Sequence, residues 1–151
     1  MINKPIIQSR LISIALSIVG LLDSLYLTWI KITNNYSLCL QGVGNCETVN
    51  TSRYAEVMGI PVAALGAGTY LLLIIILLLE TRIEHLKVNA SLYIFGITLI
   101  GVLFSAYLTF LEIAVIKDIC PYCVLSAISM IALFILSIVR LSQAQTEINP
   151  E

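Results

Sequence analysis

Charge is what this chain has least of: 11% of its 151 residues are Asp, Glu, Lys or Arg, against about 25% in an ordinary soluble domain. The eight basic residues are scattered and the formal net charge is −1. No basic cluster is present to hold a phosphate backbone, which gives no support to nucleic-acid binding. Histidine occurs once, at His85 in a polar turn, where solvation accounts for it. A structural zinc site is not expected either, because Cys39 and Cys46 are spaced too widely for one half of a close Cys-X-X-Cys pair of pairs.

Long apolar runs are abundant instead: 59% of residues are hydrophobic, and the mean hydropathy is +0.99. Stretches 61–79, 90–111 and 120–139 carry no charge, and each is about the length of a bilayer-spanning helix. A further stretch, about 10–31, contains Asp23, and its short uncharged core behind Lys4 and Arg10 has the look of a signal peptide. No small-X-small cleavage site follows, since Asp23-Ser24-Leu25-Tyr26-Leu27-Thr28 runs on into membrane-like sequence, so it reads as a retained helix. The expectation is an all-α integral membrane protein in which residues 1–140 form one four-helix bundle. Its helices fall at about 10–31, 61–79, 90–113 and 120–140, its outer loop at 32–60, and a short tail, expected to fray, at 141–151.

Four spans put both ends on one side. Lys4, Arg10, Arg82, Lys87 and Arg140 fall on that side, against Lys31, Arg53 and Lys117 on the other, and an excess of Lys and Arg marks the cytoplasmic face. Both termini are therefore expected in the cytoplasm of a cell bounded by an inner membrane, with all four cysteines outside, where an oxidising compartment permits disulfides.

The reactive groups are two cysteine pairs. Cys120-Pro121-Tyr122-Cys123 opens the last span; a helix N-terminus lowers a thiol's pKa and favours disulfide exchange, and Pro121 suits the first helical turn, where its missing N–H costs nothing. Cys39 and Cys46 lie in the outer loop with Gly42 and Gly44 between them. Two pairs on one side suggest an electron relay. Two static disulfides bracing the loop are the plainer alternative, although a CxxC at a membrane helix start makes an awkward brace.

An internal echo sets depth. Ser24-Leu25-Tyr26-Leu27-Thr28-Trp29 returns as Ser105-Ala106-Tyr107-Leu108-Thr109-Phe110, and the same offset carries Cys39 onto Cys120; duplication and chance similarity of apolar sequence account for it equally well. The echo aligns Lys31 with Glu112, which puts Glu112 at the outer boundary within reach of water. Asp23 then stands roughly 12 Å deeper at about 1.5 Å per residue, as an intramembrane charge suited to helix packing, to proton acceptance, or to the ion site of a small transporter. Tyr26, Trp29, Tyr107 and Phe110 fall near the outer ends of their helices, as an interfacial belt does, or as the walls of a pocket for a flat ring would. Ser52 is suited to cap a short surface helix over 52–58.

In its ordered motifs the chain resembles bacterial members of the vitamin K epoxide reductase family. The residues that carry the likeness are the loop pair Cys39 and Cys46, then Val49-Asn50-Thr51-Ser52-Arg53-Tyr54, Gly59-Ile60-Pro61-Val62, Tyr107-Leu108-Thr109 and Cys120-Pro121-Tyr122-Cys123. The resemblance implies a four-helix bundle holding a membrane quinone, ubiquinone or menaquinone, near its outer end beneath the loop. It also implies that a separate thioredoxin-like thiol oxidase, periplasmic or at the cell surface, gives electrons to the loop pair through Cys39. Cys46 then exchanges with Cys120, Cys123 faces the quinone, and Ser52 bonds beside the ring. Asp23 and Tyr107 are weaker candidates for the same pocket. A dithiol surrenders two electrons and two protons, as a quinone requires, so no metal or flavin is called for. The vertebrate tyrosine four residues after the second CxxC cysteine is Ala127 here, and the vertebrate asparagine near the start of the second span has no counterpart, which points away from vitamin K epoxide as substrate. Many bacterial relatives carry a fused thioredoxin-like domain; this chain ends before one, hence the expectation of a separate partner. The DsbB family shares the bundle and the quinone, but there CxxC belongs to the first outer loop, the reverse of the order seen here.

Overall fold

The computed structural model describes residues 4–36 and 45–148. Four long helices dominate it: α1 (Lys4–Thr33), α3 (Val62–Leu79), α4 (Glu84–Phe110) and α5 (Pro121–Ile148), with the short α2 (Cys46–Thr51) between α1 and α3. All four long helices contain stretches apolar and long enough to cross a bilayer. Helix α1 packs on α3 and α5, and α4 packs on α5 and α3, which closes the four into a ring. Helix α3 lies within the expected 61–79, whereas α1 starts at Lys4 and α4 at Glu84, ahead of the expected 10 and 90. At the C-terminal segment α5 continues to Ile148: Ser142, Gln143, Ala144 and Gln145 contain no helix breaker, so the backbone runs on past the apolar stretch.

Packing in this bundle follows the rule for membranes, where small residues let backbones approach. Ser9, Ser13, Ser17 and Ser24 are all buried on α1. At Gly20 the ring of Tyr70 on α3 takes the room of the missing side chain, since a Cβ there would lie 2.3 Å from Tyr70 Cζ. Gly101 does the same for Met130, whose Sδ would be 2.7 Å from an added Cβ. Tyr70, Leu73, Leu77, Ala90, Ile94, Met130 and Leu133 form the central core, while the apolar side chains of the outer helix faces, such as Leu11, Leu22, Ile100 and Ile135, stay exposed for lipid.

One end of the bundle is clamped by charge. Glu80 at the end of α3 receives Arg140 from α5 at 2.6 Å and Arg10 from α1 at 3.0 Å, and Arg10 Nε also donates to the Leu77 carbonyl at 2.9 Å. At the other end the loop folds back over the helices. After α2 and a 3-10 turn at Arg53–Ala55 comes a two-stranded hairpin, β1 (Glu56–Val57) and β2 (Ile60–Pro61), paired Glu56 with Pro61 and Val57 with Ile60. Its turn residues Met58 and Gly59 both have positive φ, 55° and 82°, the geometry of a two-residue type I′ turn. The expected surface helix over 52–58 is therefore a turn and a hairpin, because the Met58-Gly59 pair reverses the chain.

Candidate redox site

The meeting of the loop with the last helix is fixed first by backbone. Asn45 N–H donates to the Ile119 carbonyl at 3.1 Å, which sets their successors, Cys46 and Cys120, side by side. Helix α2 is held from beneath by Lys31, whose Nζ donates to the Asn50 carbonyl at 2.6 Å and pairs with Glu56 at 3.2 Å. Leu27, Ile30, Cys46, Val49 and Cys120 then form a second apolar cluster, edged by Tyr36, Tyr122 and Cys123.

Cys120 is fully buried and sits at the N-terminus of α5, where Val124 N–H closes the first turn on its carbonyl at 3.1 Å. Hydrogen bonds from the Cys123 thiol and then the Cys46 thiol hold the Cys120 thiol well below its ordinary range; burial opposes them, and the N–H groups of Cys123 and Tyr122 assist. Two neighbouring thiols and a helix N-terminus thus favour the thiolate form at Cys120. Asn50 Nδ2 approaches Cys46 Sγ at 3.9 Å. Cys39 lies outside the described residues.

Beside the sulfurs is a pocket of about 100 Å3 with an open mouth. Its walls come from every helix at this end of the bundle: Leu27 of α1, Val49 and Asn50 of α2, Val62 and Ala63 of α3, Leu108 and Thr109 of α4, and Cys123, Ser126 and Ala127 of α5. Ser52 and Tyr54 lie along the loop side. Ser52 is not an N-cap with a side-chain bond; it ends α2, and its hydroxyl donates back to the Val49 carbonyl at 2.7 Å.

Two residues expected near a ring do not line this pocket. Tyr107 is 54% exposed, because at 3.6 residues per turn it falls roughly opposite Ser105, Leu108 and Thr109, which face the pocket. Asp23 is buried, with Oδ2 lacking a hydrogen-bond partner among the described residues. It lines a separate shallow groove between α1 and α5 with Tyr26 and Tyr122, on the other flank of α5. Trp29 and Phe110 are exposed like Tyr107, as belt residues are, whereas Tyr26 stacks on Tyr122 with ring centroids 5.3 Å apart.

Glu112 departs from expectation most. In place of a boundary position in water it is 4% exposed. The end of α4 widens into a π-helical segment, Leu111–Ile116, which keeps Leu111 and Glu112 on the buried side; such bulges recur at functional sites. Glu112 Oε2 accepts the Cys120 N–H at 3.3 Å, hydrogen-bonds the Cys123 thiol, and lines the pocket. The sequence signal was a lone carboxylate eight residues before Cys120 in an apolar run; its spacing suggested a boundary and hid the burial.

Among known proteins, the chain is 34% identical over 133 residues to the thiol-disulfide oxidoreductase LTO1 of Arabidopsis thaliana, a match that takes in 83% of this chain and 35% of that protein. The chain thus spans about a third of the length of this relative. A model of the vitamin K epoxide reductase family matches residues 11–138. That match takes in most of each spanning helix and the described cysteines, and the chain belongs to the vitamin K epoxide reductase family.

Proposed function

We propose that the protein is a membrane thiol:quinone oxidoreductase that reoxidises a thioredoxin-like, DsbA-like partner and so supports disulfide formation. The observation that carries this reading is the order of three sulfurs. Cys120 is hydrogen-bonded to Cys46 and to Cys123, and Cys123 lines the pocket. Electrons received by a loop pair Cys39–Cys46 enter through Cys46 to Cys120, and leave from Cys123.

The chemistry balances as thiol–disulfide exchange. Cys46 as thiolate attacks the Cys120 sulfur of a Cys120–Cys123 disulfide, Cys123 departs as thiolate, and Cys39 resolves the Cys46–Cys120 bridge. Cys120 and Cys123 then re-form their bond as two electrons pass to the quinone, ubiquinone or menaquinone, which supplies the two-electron sink. The pocket fits that group: its walls are largely apolar, Ser52, Asn50 and Thr109 offer a few polar atoms, and Cys123 stands in its lining. In this reading both termini are cytoplasmic in the cell inner membrane, and the site opens to the extracytoplasmic side, where the partner works. The relative LTO1 is named as a thiol-disulfide oxidoreductase, which supports the dithiol half of the proposal.

The test is quinone reduction by purified protein in detergent with a reduced thioredoxin-like donor, comparing Cys39→Ala and Cys123→Ala with wild type. Both variants are expected to fail with the protein donor, while Cys39→Ala still draws electrons from a small dithiol. Absence of quinone reduction in wild type, or indifference to Cys123, would overturn the relay.

A further inference from the structure

A dithiol that reduces a quinone must move protons as well as electrons, and the pocket is poor in groups that can carry one. Among the described residues lining it, Glu112 is the sole carboxylate. The remaining polar atoms belong to Asn50, to hydroxyls such as Ser52 and Thr109, and to Tyr54 on the loop side. Glu112 also touches both cysteines of the CxxC, through the Cys120 N–H at 3.3 Å and through the Cys123 thiol. A carboxylate that is 4% exposed at the outer end of an apolar bundle costs stability unless its partners or its task repay it.

We propose that Glu112 is the proton-transfer residue of the pocket: its carboxylate takes the proton of the Cys123 thiol and releases it to the quinone oxygen being reduced. The inference rests on the thiol:quinone reading above. In the balance, Cys120 as thiolate and Cys123 as thiol lose two electrons together and join in one S–S bond. The quinone gains those two electrons and two O–H bonds. One proton comes from Cys123 by way of Glu112, and the other from water at the pocket mouth.

The groups facing Glu112 leave few competitors. From the turn before α5 there is Cys120, and from α5 Cys123. Asp118 and Lys117 meet only its main chain, each donating a backbone N–H to the Glu112 carbonyl. Helix α3 offers Val62 and Ala63, the loop offers Tyr54, and Glu47 of α2 is exposed. Asp23 of α1 is close enough to act electrostatically on Cys120 but lines the other groove.

The experiment uses full-length protein in detergent, pre-reduced with a small dithiol and mixed with a short-chain benzoquinone, for wild type, Glu112→Gln and Glu112→Asp across pH. Gln keeps the acceptor oxygen for the Cys120 N–H and loses the proton site. General acid–base groups contribute about 10²–10⁴-fold, so Glu112→Gln is expected to slow reoxidation by roughly 100-fold or more and flatten its pH profile, with Glu112→Asp recovering much of the rate. A second reading needs no quinone. The infrared difference spectrum between oxidised and reduced protein should carry a carboxyl band that is absent in Glu112→Gln and shifted in Cys123→Ala. A Glu112→Gln rate within threefold of wild type with an unaltered pH profile overturns the proposal, and so does a carboxyl band indifferent to both substitutions. Should Glu112→Gln fail to fold, the wild-type and Cys123→Ala spectra decide it. Wild type that reduces no quinone fails the reading beneath, and that result is separate because every Glu112 variant is scored against wild type.

Discussion

Replacing Lys31 with Met keeps the aliphatic stem and removes the ammonium that holds the loop down. In the structure that ammonium donates to the Asn50 carbonyl at 2.6 Å and pairs with Glu56 at 3.2 Å, with the Lys31 side chain 12% exposed. A hydrogen bond from a charged donor contributes about 1.5–3 kcal/mol, and the pair with the half-exposed Glu56 adds at most about 1 kcal/mol after screening. A loss of about 2–3 kcal/mol corresponds to a roughly 30- to 150-fold rise in the opening equilibrium of the loop, at 1.4 kcal/mol per factor of ten. Hydrogen exchange reads this directly, because the Asn45 N–H to Ile119 carbonyl bond and the turns of α2 can exchange only when the loop lifts. Exchange over residues 45–56 is expected to accelerate by that factor in Lys31→Met, while the amides around Leu133 in α5 keep their wild-type protection. Loop exchange within threefold of wild type would refute the assignment of Lys31 as the anchor that keeps Cys46 beside Cys120.

Other outcomes follow from single contacts. Gly20→Ala drives a Cβ to 2.3 Å from the ring of Tyr70, which its bond to the Ser126 carbonyl at 2.8 Å holds in place; a stability loss of about 1–3 kcal/mol is expected, and an unchanged melting temperature in detergent would count against this packing. Arg140→Met leaves buried Glu80 with Arg10 alone and should cost about 3 kcal/mol, whereas adding Glu80→Gln should recover part of that, so strict additivity in the double-mutant cycle would show the charges are uncoupled. Cys46→Ala removes one of the thiols that hold the Cys120 thiol low; thiolate absorbance of the reduced protein should then titrate at higher pH than in wild type, because a lost hydrogen bond to the charged form raises the pKa, and a coincident titration would argue that Cys46 does not reach Cys120.

Much of the frame was legible because membrane insertion leaves few choices. An uncharged run of about twenty residues must satisfy its backbone internally, so the spans could be read from Pro61, Ala90 and Cys120 onward without any knowledge of packing. The cysteine order and the motifs around Ser52 and Pro61 were equally local, and they carried the family. Tyr107 shows the limit. It sits in a motif, yet helical phase turns it outward.

What the sequence determined by itself is what depends on neighbours along the chain: four apolar helices, a CxxC with proline at a helix start, a polar loop bearing the second pair. What only the tertiary structure decided depends on neighbours across it. Lys31 under Asn50, Asn45 against Ile119, and Cys120 between Cys46 and Cys123 join segments separated by 19 residues in one case and by far more in the others, and no periodicity announces such contacts. Glu112 is the sharpest instance. Hydropathy ranks a carboxylate near a helix end as a surface group, but the π-helical turn and the returning CxxC enclose it, and burial beside two sulfurs is what gives it chemistry.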